Sequence, residues 1–208
     1  DIEIVRCLIY NNGLRRRAAG SGLRIDGCRR IRIDSCIVFA NTFNGLNILQ
    51  SADVTVRGCE IMRNDMDGFT VSGRAGQPDN PSRNVVLERS YLHHHLNLGH
   101  PDNSQMYNHV RGVTYRDNVL LLAGQNLMLQ KTEGLTFENN LFCGVVARHV
   151  ILGHNSTHRA AFRHNTFAFA QYGAIGTSNA RGVEVFDNVF YNNALNYEGK
   201  VDFRGGRN

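Results

Sequence analysis

The sequence predicts an all-β chain wound as a right-handed parallel β-helix, a solenoid of about seven to eight coils. A strand-and-turn unit recurs with a minimum period near 23 residues. Apolar residues inside each unit follow a period of two, which belongs to strands rather than helices. One small polar residue returns at the same point of every unit, as a stack of equivalent coils requires.

The unit is anchored by a strand that ends in this polar residue. The copies are Ile31 to Cys36, Val54 to Cys59, Val85 to Ser90, Val113 to Asn118, Leu135 to Asn140, Ala160 to Asn165 and Val183 to Asn188, with a first copy around Cys7. Successive anchors lie 29, 23, 31, 28, 22, 25 and 23 residues apart. The minimum is steady while the excess varies, which describes one coil carrying different loops. A second strand precedes each anchor, as in Gly45-Leu46-Asn47-Ile48 and Gly68-Phe69-Thr70-Val71, with Gly173 opening the seventh copy. A third follows it and aligns Val38, Ile61, Leu92, Leu120, Phe142 and Phe167 as an inward column. Three strands per coil at ~4.8 Å spacing form parallel sheets around one core, and connections between parallel strands of a sheet are right-handed.

Two columns test this register. The anchor column passes from thiol (Cys7, Cys36, Cys59) through Ser90 to amide (Asn118, Asn140, Asn165, Asn188), and stacked amides hydrogen-bond along an axis. Two positions earlier stand Asp34, Arg57, Glu88, Arg116, Glu138 and Arg163, alternating in sign at every coil, whereas like charges on adjacent strands repel. Cys7, Cys36 and Cys59 are expected inward and reduced, because in-register parallel strands hold their Cβ vectors parallel, a poor match to disulfide torsions.

Composition narrows the function classes. Hydrophobic residues make up 42% of 208, but no apolar run approaches the ~20 residues of a membrane span, so no membrane partner is expected. The start, Asp1-Ile2-Glu3-Ile4-Val5, reads as strand rather than signal peptide. The net charge of +5 rests mainly on arginine, the better fork for carboxylate or phosphate, and points to a polyanionic partner. Arg15-Arg16-Arg17 has no aromatic platform beside it, so nucleic acid is not the expected one. Residues 1–208 are expected to form a single β-helix domain. Because solenoids need covered ends, a longer native chain or a homo-oligomer is expected to cover them.

The Gly-Leu-x-Ile strands and x-x-Asn-x-Phe turns resemble the repeats of the pectate-lyase-like superfamily, over nearly the whole chain. More locally, His100-Pro101-Asp102-Asn103-Ser104-Gln105 resembles the His-Pro-Asp-x-x-Gln segment of bacterial secreted β-helix proteins associated with polysaccharides. The resemblance implies carbohydrate binding or cleavage, at a secreted or cell-surface location.

A solenoid core is filled by packing, so a site belongs on an outer face walled by loops. The two longest insertions, Gly73 to Ser82 and His93 to Asp102, lie in neighbouring coils and mark the strands that follow them. One expected column there is Asn44, Asp67, Asp102, Gln125, Arg148 and Tyr172. Asp67 and Asp102 are the candidate metal ligands, for Ca²⁺, although Asn44-Gly45 and Asp67-Gly68 also read as plain turns. Outward on the strands, Gln105, Tyr107 and Gln130 suit a hydroxyl-rich substrate. Cleavage of an acidic polysaccharide by β-elimination needs a cation for the carboxylate, a base for the C5 proton and an acid for the leaving oxygen. The catalytic candidates are Arg148 for the first, His100, Lys131 and His154 for the second, and Tyr107 for the third. Other readings are a glycoside hydrolase working through Asp67 and Asp102, a uronan epimerase, and a non-catalytic adhesin, phage-spike shaft or carbohydrate-binding module. The His93-His94-His95 run alternates faces, so at most two of these imidazoles point together toward a zinc ion.

Overall fold

A computed structural model describes residues 1–13, 20–97, 101–153 and 157–199, and the backbone of 203–205. The described residues form three parallel sheets and no helix. Sheet A has nine strands, from Ile2–Val5 to Phe203–Gly205, and carries the strands that end at the anchors. Sheet B has eight, from Leu8–Tyr10 to Val189–Tyr191, and sheet C eight, from Leu23–Asp26 to Tyr197–Glu198. The chain visits A, B and C in turn, each strand pairing with its equivalents one coil before and after. This is the expected right-handed parallel β-helix of about eight coils.

The register follows the columns. Asp34 pairs with Arg57, Arg57 with Glu88, Glu88 with Arg116, Arg116 with Glu138 and Glu138 with Arg163. Arg116 Nε donates to Glu88 at 2.6 Å. Inside, Phe142, Phe167 and Phe190 stack with centroids 4.9 and 5.1 Å apart, so the aromatic column is continuous at the strand spacing.

The corner from sheet A to sheet B explains the anchor. The residue before it is left-handed in every coil, at Arg6, Ser35, Gly58, Arg89, Asp117, Asn139, His164 and Asp187, with φ between 49° and 59°. That turn aims the anchor inward and leaves its backbone N–H without a strand partner. The next coil supplies one: Ser90 N–H donates to Asn118 Oδ1 at 2.9 Å, Asn118 N–H to Asn140 Oδ1 at 3.0 Å and Asn140 N–H to Asn165 Oδ1 at 2.9 Å. Each amide also donates back to a sheet-A carbonyl, as Asn140 does to Tyr115 O at 3.0 Å. Cys36 and Cys59 hold the same place as free, buried thiols, and burial pushes the Cys59 thiol up to about 11. Cys7 is likewise a free thiol and bonds Val5 O at 3.4 Å as Cys36 bonds Asp34 O, but it is exposed, because its sheet-A strand lies at the edge of the sheet.

A polar column not foreseen from the sequence lines the corner from B to C. Asn41 N–H donates to Asn64 Oδ1 at 3.1 Å, and Asn64 N–H to His95 Nδ1 at 3.3 Å. Gly45 and Gly68 face these side chains. A Cβ there would stand 2.6 Å from Asn64 Nδ2 and 2.5 Å from His95 Nε2. In later coils the polar group changes sides. Asn103, Asn126 and His149 stand second in the sheet-C strands, while Ala123, Val145 and Ala170 end those of sheet B. His95 accepts at Nδ1, so its Nε2 carries the proton and donates to Ile61 O at 3.3 Å. Burial holds this imidazole at about 4, and His149 likewise.

Two outcomes follow. Asn140→Ala strips the Asn118 N–H and the Tyr115 carbonyl of their partners in a buried site, which costs about 2–3 kcal/mol in urea unfolding. His95→Asn copies Asn41 and Asn64. In the wild type the unfolded chain takes up a proton at His95 near pH 6.5 and the folded chain only near pH 4, so stability is lost as pH falls through that window. The loss attributable to His95 is on the order of 3 kcal/mol, and thermal unfolding at pH 7 and 4.5 should show a smaller acid destabilisation in the variant.

Candidate functional site

The outer face of sheet C divides into a covered and an open part. Register places Asn47, Thr70, Gln105, Met128, Ile151 and Gly176 in one outward column. Asn47 and Thr70 are buried although they point away from the core, as is Ser72 on the strand with Thr70. The insertion after Ser72 turns back along the axis over earlier coils. Gln50 Nε2 donates to Gln77 Oε1 at 2.8 Å, and Arg74 lies 3.6 Å from Asp26. Beyond this cover Gln105, Tyr107, Met128, Gln130 and Ile151 are half-buried and form an open floor. Tyr107 and Gln130 are neighbours across the ladder, and Gln105 Nε2 reaches Met128 Sδ at 3.5 Å.

The edge of this face toward sheet B carries Asn44, Asp67, Asp102 and Gln125, all buried. Both carboxyls had been expected at an exposed groove, yet Asp102 is only 2% exposed. Asp102 N–H donates to Asp67 Oδ1 at 3.0 Å, and Gln125 Nε2 donates to Asp102 Oδ1 at 3.0 Å. Burial, and then the charge of Asp67, push the Asp102 carboxyl well above the usual range, with the Gln125 hydrogen bond pulling the other way. Asn44 Nδ2 donates to Thr70 Oγ1 at 3.2 Å, while the amide oxygens of Asn44 and Asn47 are buried without a protein partner. Among the described residues no group of three or more His, Cys, Asp or Glu is placed to hold a metal ion.

Arg148 continues the edge column, but its next neighbour is Gly173 rather than Tyr172, correcting the expected register by one residue. Tyr172 stays in the turn, with its ring centroid 6.0 Å from the Arg148 guanidinium. Both Arg148 Nε, at 2.6 Å, and Nη2 donate to Glu198 Oε2. The pair borders a cleft of about 260 Å³ lined also by Ile151, Gly176 and Ser178.

Lys131 does not join this face. Its left-handed backbone, φ 51°, turns the chain from sheet C to sheet A, and its side chain lines a hollow of about 300 Å³ with His109, Arg111, Glu133 and His158. His100, His154 and Arg15 to Arg17 lie outside the described residues. Among the three clustered histidines, His95 is committed to the B–C corner, and His93 Nε2 lies 3.1 Å from Glu60. The structure therefore brings together Asp67, Asp102, Gln105, Tyr107, Gln130 and Arg148 on sheet C. Gln125 was placed in this column from the sequence without a role, and its bond to Asp102 was invisible there.

A family model described as "Right handed beta helix region" matches residues 1–78. No curated protein matches the chain by sequence. Among solved structures, the mannuronan C-5 epimerase AlgE4 A-module of Azotobacter vinelandii superposes with TM-score 0.79 at 12% identity, over 97% of this chain and 58% of that one. An alginate lyase from Paenibacillus sp. gives 0.69 at 14%, over 92% and 79%. Tailspike protein 2 of the Escherichia coli O157:H7 bacteriophage CAB120 gives 0.68 at 10%, over 98% and 34%. The chain thus spans about three fifths of the epimerase module and about a third of the tailspike. At these identities the likeness is one of fold, and in fold this chain is a right-handed parallel β-helix.

Proposed function

We propose that the open floor of sheet C binds an acidic polysaccharide and that the protein cleaves it by β-elimination at a uronate. The observation that carries this reading is the half-buried row Gln105, Tyr107, Met128 and Gln130, laid at ladder spacing between a buried carboxyl edge and the Arg148 cleft. Amide and phenol groups suit sugar hydroxyls, and a row along the axis suits a chain. The likeness to an alginate lyase and a mannuronan epimerase supports the substrate class. Such a substrate is met outside the cytoplasm, which favours a secreted or cell-surface location, and a structural neighbour, the alginate epimerase AlgG, is periplasmic.

In this mechanism Arg148 exchanges Glu198 for the substrate carboxylate and lowers the charge that opposes carbanion formation at C5. A base removes the C5 proton; His100, two residues before Asp102 in the chain, and His154 are the candidates. The C4–O bond then breaks, a C4=C5 double bond forms, and Tyr107 protonates the departing oxygen. Asp102, too buried to meet the sugar, positions Gln125 beneath the floor. A calcium ion would sit at the same edge one coil earlier than a simple Asp67–Asp102 pair, because Asn44, whose amide oxygen is buried without a protein partner, is the ladder neighbour of Asp67 there, and hard cations take oxygen ligands. An epimerase reading shares the proton abstraction and differs only in returning a proton to the opposite face; the epimerase likeness favours keeping it as the second reading.

Incubation with alginate, pectate and glycosaminoglycans decides between them. Growth of unsaturated-uronide absorbance supports elimination, inverted C5 stereochemistry by NMR without that absorbance supports epimerisation, and new reducing ends with neither rejects both. Arg148→Gln should lower kcat/KM by about 100-fold or more, the size of losing one charge-stabilising donor. Asp102→Asn should match or exceed wild-type stability at pH 7, since a carboxyl raised in the folded state destabilises it as pH rises above the unfolded value. Added Ca²⁺ should raise Tm in the wild type and not in Asp67→Asn.

A further inference from the structure

Sheet A carries two columns of exposed charge that behave differently. The alternating column from Asp34 to Arg163 neutralises itself. The column at the edge toward sheet C runs Arg83, Arg111, Glu133, His158 and Arg181, each paired in register with the next. Arg83 and Arg111 stand side by side, an arrangement that like charges disfavour. Lys131 and Arg159 join the same edge, so five cations meet one carboxylate, Glu133. Arg111 lies 3.6 Å from it, and Arg159 also binds it. Arg83, Lys131 and Arg181 have no acidic partner among the described residues.

Beside this column the sheet is low. Thr114, Thr136 and Ala161 occupy the outward positions in successive coils, and their small side chains leave a trough. A hollow of about 470 Å³ lies along it, bordered by Thr136, Arg159, Ala161 and Glu184, whose carboxylate is paired with Arg163 at 3.3 Å, and a second of about 300 Å³, bordered by His109, Arg111, Lys131 and His158, lies on the other side of the charged column at the C-to-A corner. The cationic edge spans four ladder steps, roughly 19 Å, the reach of several sugar units. The aromatic residues of these strands, Tyr115, Phe137 and Phe162, are fully buried in the core, so the trough offers no platform for stacking bases.

We propose that this trough is a second polyanion-binding surface, which holds a uronate stretch of an acidic polysaccharide along the solenoid axis. The identity of the polymer rests on the function proposed for sheet C; the surface itself rests on the uncompensated charge. It would retain a long chain while sheet C engages another segment of it, raising the affinity for polymer over that for short oligomers.

The test compares binding of alginate polymer and of a uronate tetramer to wild type, to the triple variant R83Q/K131Q/R181Q, and to the equally charged control R6Q/R63Q/R89Q, over a range of salt. The trough variant should lose about tenfold or more in polymer affinity at low salt, and its salt dependence should flatten, as expected when cations that release counterions are removed. The control should bind polymer like wild type, and the tetramer should bind all three alike. Equal loss in both triple variants would reduce the effect to net charge and overturn the proposal. So would wild-type polymer affinity in the trough variant, or duplex DNA binding more tightly than alginate at the same salt. Arg148→Gln separates the two readings: if it binds tetramer normally while the trough variant loses polymer, sheet C fails as the site and the trough stands.

Discussion

Every coil passes from sheet A to sheet B through one left-handed residue, and that corner leaves an inward backbone N–H that only the following coil can satisfy. A buried, unpaired N–H costs a few kcal/mol, so the anchor has to be a side chain that accepts from below. Asparagine does this and donates as well, through Asn118, Asn140, Asn165 and Asn188. Serine accepts in the same way at Ser90. Cysteine performs a weaker version, with the Cys36 thiol 3.4 Å from the Cys7 N–H. The rest follows from this constraint: coils of common length, strands in register, aromatic rings stacked at strand spacing, and charge columns brought opposite one another.

Those consequences are why so much of the fold was legible in the sequence. A side chain forced to recur at one point of each coil leaves a mark that survives loops of any length, and the Asp34-to-Arg163 alternation confirms the register independently. The B–C corner was harder to read because its polar group moves from the end of one strand to the start of the next between His95 and Asn103, so neither column alone is continuous. The slip from Tyr172 to Gly173 has a similar origin: Gly173 in the sequence copies the glycines that open earlier sheet-C strands, but in space it sits one position earlier, beside Arg148.

The site was legible by residue type and less so by orientation. Gln105, Tyr107 and Gln130 fall on the sheet-C face because period-two alternation decides which side they take. Lys131 follows the same strand by only two residues, but a single left-handed residue rotates it onto another sheet. Burial was likewise hidden. Asn47 and Thr70 alternate outward and are nevertheless inaccessible, since cover over an outer face comes from loops whose paths no repeat encodes. The candidate site is thus a regular floor, set by the solenoid, framed by irregular parts.

The amide column also has a direction. Each anchor N–H points toward the coil that follows it in the chain. Each anchor thus depends on a side chain of the coil after it, and each added coil brings the same requirement with its own anchor. Nearest-neighbour contacts set the cooperativity of such a stack, and a nucleus at any coil can grow in either direction, because a coil added at either face completes the same bond.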